Sequence, residues 1–171
     1  KKDNKAFDLL EGSLTPLAAY EAAKLLKTHQ SLNAFYYDGH IAIYKNVHIG
    51  IALDLDNGLK VVTIPNTDQK SLFEISNEIY NLTCKYVART LSPTDLASST
   101  FTITDLSSED VHYFRPLVNR QQSAILGIAA SDKQLNRSII SLTFDHRVTT
   151  GKQAAQFLKS LVHAVEKHLE K

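Results

Sequence analysis

Apolar residues recur along this chain in two rhythms. Between Thr15 and Leu26, Leu17, Ala18, Tyr20, Ala22, Leu25 and Leu26 follow helical spacing. Thr15 is a favoured cap and Pro16 a favoured first helical residue. The stretch before it, Lys1–Gly12, reads as the tail of another helix ended by Gly12. A second helix is announced by Ser71 and Glu74, spaced as a capping box, and carries Leu72, Ile75, Ile79, Leu82 and Val87 on one side. Ser92-Pro93-Thr94-Asp95 predicts the start of a short helix on the same logic. The last helix runs from about Lys152, with Thr150 or Gly151 as its cap and Ala155, Leu158, Leu161, Val162, Val165 and Leu169 at helical spacing.

Between the helices the rhythm is that of strands. Tyr37-Asp38-Gly39 marks a turn between Ala34–Tyr36 and Ile41–Tyr44. Val47–Leu55 reads as a long strand. Asp56-Asn57-Gly58 predicts a type I′ hairpin turn, because Asn-Gly accepts the positive φ that turn demands. Leu59–Ile64 returns and is stopped by Pro65. Thr100–Leu106 alternates with period two, as in a half-buried strand, and Ser123–Ala130 and Ile139–Asp145 flank the polar turn Asp132–Arg137. Hairpins mixed with helical crossovers predict an α+β fold: a mixed β-sheet with helices packed on one face. There is no internal repeat and no linker, so residues 1–171 are expected to form a single domain.

Composition narrows the function classes. With 43% hydrophobic residues the chain can build a core. Its 19 basic and 18 acidic residues nearly cancel, and no Lys/Arg run exceeds two residues, which argues against nucleic-acid and membrane-surface partners. No apolar run approaches the ~20 residues of a spanning helix, and no signal peptide is evident. Cys84, the single cysteine, cannot form an internal disulfide and reads as a small buried hydrophobe. The chain begins at Lys1 and contains no methionine, which suggests an internal or C-terminal region of something longer. No Gly-x-Ser-x-Gly and no glycine-rich phosphate loop occurs. His163 and His168 stand five apart, off a shared helix face, so no metal site is expected. His40, His48 and His112 are isolated and read as ordinary polar or interfacial residues.

One histidine is better placed. His146 follows an apolar strand and precedes a capped helix, so its backbone is held while the loop admits a ligand. An ordinary imidazole pKa of ~6.5 suits it to accept a proton near neutrality. On residue chemistry alone this signal is weak.

The surrounding residues sharpen it. Asp145-His146-Arg147-Val148, then Gly151, Ala154-Ala155 and Phe157-Leu158, resemble the C-terminal signature of the E2 (dihydrolipoamide acyltransferase) catalytic domains of 2-oxoacid dehydrogenase complexes, which are related to the chloramphenicol acetyltransferases. Further matches follow in the family's order: Val47–Ala52, Gly58–Pro65, Lys70-Ser71-Leu72 with Glu74-Ile75, Leu91-Ser92-Pro93, Thr100–Ile103, and Gln122 with Ala124–Gly127. They cover the chain from about Leu14 onward.

The resemblance implies a chloramphenicol acetyltransferase-like fold, here lacking the family's N-terminal arginine-bearing helix and first strand. It implies acyl transfer between coenzyme A and a dihydrolipoyl thiol, with His146 as general base and Thr104, where the family usually has serine, as donor to the oxyanion. Asp145, Arg147, Thr150 and Gly151 would support the loop. Thr150 replaces the family's second motif aspartate, whose arginine partner is also missing, and a cap is the role expected of it. Leu106-Ser107-Ser108-Glu109 replaces a glycine-rich loop, so the channel wall there is expected to be reshaped. Coenzyme A is implied as a substrate. The lipoyl group must come from another domain or chain, because Asp68-Gln69-Lys70-Ser71 is not a lipoyl hairpin. A homotrimer or larger E2-type core, with active sites between subunits, and a lipoyl domain are the implied partners; a bacterial cytoplasm is the expected compartment and a mitochondrial matrix is compatible. Two alternatives stay open: a catalytically weakened E2-like scaffold subunit, and transfer to a small hydroxyl or amine acceptor.

Overall fold

The computed structural model describes residues 12–55, 58–132 and 137–170. In chain order it contains α1 (Thr15–Leu26), β1 (Ala34–Tyr37), β2 (His40–Ile43), β3 (Ile49–Leu53), β4 (Lys60–Ile64), α2 (Leu72–Ala88), β5 (Phe101–Asp105), β6 (Ala124–Asp132), β7 (Arg137–Phe144) and α3 (Gly151–Leu169). Strands β1 and β2 form a separate antiparallel hairpin. The other five make one sheet in the order β4-β3-β5-β6-β7, with β3, β5 and β6 parallel and β4 and β7 antiparallel at the edges. The fold is therefore α+β with a mixed sheet, as the sequence predicts.

Strand alternation sorts the sheet into two chemically different faces. The row Ile51–Ile103–Leu126–Leu142 crosses β3, β5, β6 and β7, and Ile49 pairs with Phe101 on the same side. This apolar face packs with Ala18, Ala22 and Leu26 of α1, Ile75, Ile79 and Leu82 of α2, and Phe157 and Leu161 of α3 in one core. Helix α1 touches both other helices, so all three share that face. The opposite face carries the rows Gly50–Thr102–Ile125–Thr143 and Ala52–Thr104–Gly127–Ser141. It is also covered, by the segments before and after β5: a Cβ at Gly127 would lie 2.9 Å from Phe114 Cζ, and one at Gly50 2.5 Å from Ser99 Oγ. Close approach, not backbone flexibility, is what these two glycines permit.

Cover on both faces explains the first departure from the sequence reading. Strand β5 is not half-buried: Phe101, Thr102 and Ile103 are all solvent-inaccessible. Its buried hydroxyl, that of Thr102, is satisfied internally. Thr102 donates to Gln122 Oε1 (2.9 Å) and accepts from Asn119 Nδ2 (3.0 Å), and Gln122 Nε2 donates to the Ser99 carbonyl (3.0 Å).

Other differences have equally local causes. Thr15 is the first helical residue rather than the cap; its hydroxyl donates to Asp105 instead (2.6 Å), while Ser13 Oγ accepts from the Thr15 amide (3.1 Å). The short helix expected at Ser92 is only a turn over residues 93–96. The chain is pulled out there to meet the edge of β4, where the Asp95 and Ala97 carbonyls accept from the Thr63 amide (2.9 Å) and hydroxyl (2.5 Å). In α2 the capping box forms as expected. Its last buried residue is Tyr86 rather than Val87, because the Tyr86 hydroxyl reaches the Leu55 amide (3.0 Å) and Gly58 carbonyl (2.9 Å) at the base of the β3–β4 connection. In α3 the inner line is Ala154, Phe157 and Leu161, while Ala155, Val162 and Leu169 face outward. Pairing of β3 with β4 stops at Leu53–Lys60, short of a two-residue turn. Asp56-Asn57, the Lys1–Glu11 part of the expected first helix and Lys133–Asn136 of the polar turn lie outside the described residues. Gly12 and Gly58 have φ of +76° and +74°.

Asp95 ties α2 to this β4-edge turn. It accepts from Lys85 Nζ (2.9 Å) and from the Ser92 amide (2.8 Å) and hydroxyl (2.7 Å), and the Lys85 ammonium foremost holds its carboxyl down at about 2. Because the folded pKa is depressed, the resulting stability is complete above the ordinary aspartate value and is lost as pH falls toward about 2. Urea unfolding of wild type and Asp95→Asn across pH 6 to 2 should show a stability gap that is constant near neutrality and closes below about pH 4. A gap independent of pH would show that the carboxylate charge contributes nothing.

Candidate functional site

The candidate base sits where an edge strand becomes a helix. β7 ends at Phe144, and the next amide, Asp145 N, donates to the Ser123 carbonyl just before β6 (2.8 Å). The Asp145 carbonyl then accepts from the amides of Val148 (2.9 Å) and Thr149 (3.0 Å), closing a tight turn around His146. Val148 and Thr149 are buried and anchor the far side of that turn.

The side chains on either side of His146 hold each other. Asp145 accepts from the Arg147 backbone amide (2.9 Å), from Nε (3.0 Å) and from Nη2 (2.6 Å). The guanidinium also lies 4.4 Å over the Tyr36 ring of the β1–β2 hairpin. The Arg147 side chain foremost draws the Asp145 carboxyl below the ordinary range, and Asp145 raises Arg147 in return. Both groups are charged near neutrality and each occupies the other. His146 is left exposed between them, its ring centroid 4.6 Å from that of Phe144.

Thr150 is the cap of α3. Its hydroxyl accepts from the Gln153 amide (3.3 Å), and its own amide donates to Gln153 Oε1 (3.0 Å), a full capping box. Gly151 is the first helical residue. A neutral cap thus closes the turn.

Thr104 lies elsewhere. It is on β5 opposite Gly127, whereas the strand end leading to His146 pairs Phe144 with Ala124. Three residues along β6 are about 10 Å, and β5 to β7 is two strand spacings, about 10 Å more. One copy of the chain does not bring Thr104 and His146 to the same substrate atom. Thr104 instead borders a cavity of about 360 Å³ with Ile51, Leu53, Ile79, Phe114 and Pro116. Asp105 forms its polar corner, accepting from Thr15 Oγ1 (2.6 Å), Ser13 Oγ (3.1 Å) and the Ser107 amide (2.8 Å). Ser107–Glu109 forms a single 3₁₀ turn beside it.

A second hollow, of about 460 Å³, opens beside the His146 turn between Phe35, Tyr36, Asn119, Arg120, Asp145 and Arg147. Arg120 makes no ion pair among the described residues, so this hollow presents a free guanidinium. Among the described residues no group of three His, Cys, Asp or Glu side chains could hold a metal ion. Tyr36, Arg120 and the serines at 31 and 123 escaped the sequence reading. They come from two stretches far apart in the chain, residues 31–36 and 120–123, and no local motif marks any of them.

A family model for the 2-oxoacid dehydrogenases acyltransferase (catalytic domain) matches residues 1–170. The dihydrolipoyllysine-residue acetyltransferase component of the acetoin cleaving system of Bacillus subtilis (strain 168) is 36% identical over 159 residues, 87% of this chain and 40% of that protein. The chain thus spans about two fifths of the length of this relative. Among solved structures, the cubic core of the pyruvate dehydrogenase multienzyme complex superposes with a TM-score of 0.81 at 32% identity, covering 90% of this chain and 68% of that one. A chloramphenicol acetyltransferase superposes with a TM-score of 0.60 at 10% identity, over 94% of this chain and 82% of that one, a likeness of fold alone.

Replacing Thr150 by alanine removes the cap and should lower unfolding free energy by about 1 kcal/mol. Thr150→Asp, an equally good cap with a favourable charge at a helix N-terminus, should retain it. Urea denaturation of the two variants decides the point; equal loss in both would mean that the cap hydrogen bonds do not hold the turn.

Proposed function

The chain belongs to the family of 2-oxoacid dehydrogenase acyltransferase catalytic domains, and we propose that it moves an acyl group between coenzyme A and a dihydrolipoyl thiol with His146 as general base. The observation that carries this reading is the turn itself: an exposed imidazole whose two neighbours, Asp145 and Arg147, are fully engaged with each other. A base so placed is held by its backbone and is open to substrate.

The chemistry needs few parts. A free thiol has a pKa of ~8.5, so a neighbouring imidazole raises the fraction of thiolate at neutral pH. His146 takes the thiol proton, and the thiolate sulfur attacks the carbonyl carbon of the other substrate's thioester. The new C–S bond forms as the C=O pair moves onto oxygen, where the Thr104 hydroxyl donates a hydrogen bond. One such donor is worth about 2.7–4 kcal/mol at an oxyanion. The intermediate then expels the second sulfur, which recovers the proton from the imidazolium. No covalent enzyme intermediate is required.

The distance between His146 and Thr104 within one chain supports a site completed between copies, in a trimer or larger core. A neighbouring copy would bring its Thr104 end against the His146 end of the first. The wall of the cavity beside Thr104 is mainly apolar surface and suits the acyl group. The arginine-flanked hollow beside His146 suits the phosphate-bearing end of coenzyme A. The lipoyl group comes from another domain or chain.

The direct test is transfer from acetyl- and succinyl-coenzyme A to dihydrolipoamide. Wild type should catalyse it and His146→Ala should not. Activity in neither, from folded protein, would overturn the enzyme reading in favour of a scaffold. Arg120→Gln should raise KM for the acyl-coenzyme A about fivefold with kcat unchanged, the effect of an exposed ion pair worth ~1 kcal/mol, and the difference should shrink at high salt. An unchanged KM would exclude Arg120 from the phosphate-binding end.

A further inference from the structure

The turn that carries His146 is closed from behind by a ring of four hydrogen bonds. Asp145 N donates to the Ser123 carbonyl (2.8 Å). Ser123 Oγ donates to the Ser31 carbonyl (2.8 Å). The hydroxyls of Ser31 and Thr149 lie 2.9 Å apart. Thr149 N returns to the Asp145 carbonyl (3.0 Å). Three separate chain segments meet in this ring, and His146 is on the short arc between Asp145 and Thr149.

The ring is well placed to constrain that arc. Ser123 is solvent-inaccessible and Thr149 is 2% exposed, so neither hydroxyl has water as a substitute partner. Thr149 Oγ1 is also 3.3 Å from Gln153 Oε1. With its single proton given to Gln153, Thr149 accepts from Ser31, and Ser31 is the donor that closes the circuit. Ser31 is itself fixed. It lies in a 3₁₀ turn, Gln30–Leu32, followed by Leu32 and Asn33, both buried, and Asn33 Nδ2 donates to the carbonyls of Tyr44 (3.2 Å) and Asn46 (3.0 Å). Just before that turn, His29 packs edge-on against Phe157 of α3, centroids 5.6 Å apart. The Ser31 hydroxyl therefore links a rigid floor to the His146 turn.

We propose that Ser31 is a positioning residue for the base: through Thr149 it completes a hydrogen-bonded ring that sets the pose of His146. This rests on the reading of His146 as general base. The link is neutral, a pair of hydroxyls 118 positions apart in sequence, and it acts beside a helix cap that is itself uncharged.

The test uses steady-state acyl transfer by the assembled protein carrying Ser31→Ala, Ser31→Thr, Thr149→Val, the Ser31→Ala/Thr149→Val pair and His146→Ala. Misplacing a catalytic group by less than an ångström costs rate far more than binding. Ser31→Ala and Thr149→Val should each lower kcat about tenfold while KM for both thiol substrates stays within about twofold. Ser31→Thr, which keeps the hydroxyl, should recover most of kcat. The double variant should be no slower than either single one, because both remove the same link. If Ser31→Ala fails to assemble, Thr149→Val, nearly isosteric, reads the same link. A wild-type kcat in Thr149→Val, or single losses that multiply in the double variant, overturns the proposal while leaving His146 as base. Activity in His146→Ala overturns the reading beneath it instead.

Discussion

Thr102 places a hydroxyl in a stretch of strand, Phe101–Ile103, that no solvent reaches from either side, and much of the structure follows from the need to satisfy it. An unpaired buried polar group costs about 1–3 kcal/mol. The Thr102 hydroxyl is paired by Gln122 and Asn119, and Gln122 in turn by the Ser99 carbonyl. Those bonds fasten the segment between β5 and β6 onto the polar face of the sheet. Phe114, on that segment, then packs where Gly127 leaves room. The same segment supplies Asn119, Arg120 and Gln122 to the hollow beside His146, and Phe114 and Pro116 to the cavity beside Thr104. The apolar face of the sheet builds the core, and the segment that covers the polar face contributes to both hollows of the candidate site.

How much of this could be read from the sequence depends on the range of the interaction. Elements set by local rules were legible: the Ser71–Glu74 capping box, the cap at Thr150, the strand before Asp145 and the helix after Gly151 all appear where expected. The errors arise where a distant partner outcompetes a local preference. Thr15 has the chemistry of a cap, but Asp105, ninety positions away, takes its hydroxyl. Ser92-Pro93-Thr94-Asp95 has the signature of a helix start, but the edge of β4 draws the backbone into a turn. Period-two alternation in β5 suggested one wet face, since Thr102 and Thr104 are indistinguishable by residue type from solvent-facing threonines; only the covering segment makes Thr102 interior. Among the expected site residues, Asp145, His146, Arg147 and Thr150 fall on one turn because they are neighbours in sequence. Thr104 does not join them within the chain, and Ser31 and Arg120 carry no local signal at all.

The turn at residues 145–150 ends, among the described residues, on an uncharged cap, Thr150. The ion pair within it, Asp145 with Arg147, is local to the turn and spans two residues. The remaining fastenings are backbone amides and neutral hydroxyls, supplied by Ser123, Ser31, Thr149, Thr150 and Gln153. The Thr150 hydroxyl closes a full capping box at the start of α3 and is compatible with an intact loop.

On the proposed reading, one chain holds half of each active site: the base on one end of the sheet, the oxyanion donor on the other. It is tested most directly by mixing two inactive proteins. His146→Ala and Thr104→Val are each co-assembled with themselves and with one another, and acyl transfer is measured. If sites form between copies, the mixed assembly contains some sites with both groups intact, and activity returns to about a quarter of wild type at equal proportions. If the mixture stays as inactive as its parents, while wild type is active, the site is not shared between copies and the account of His146 and Thr104 as partners fails.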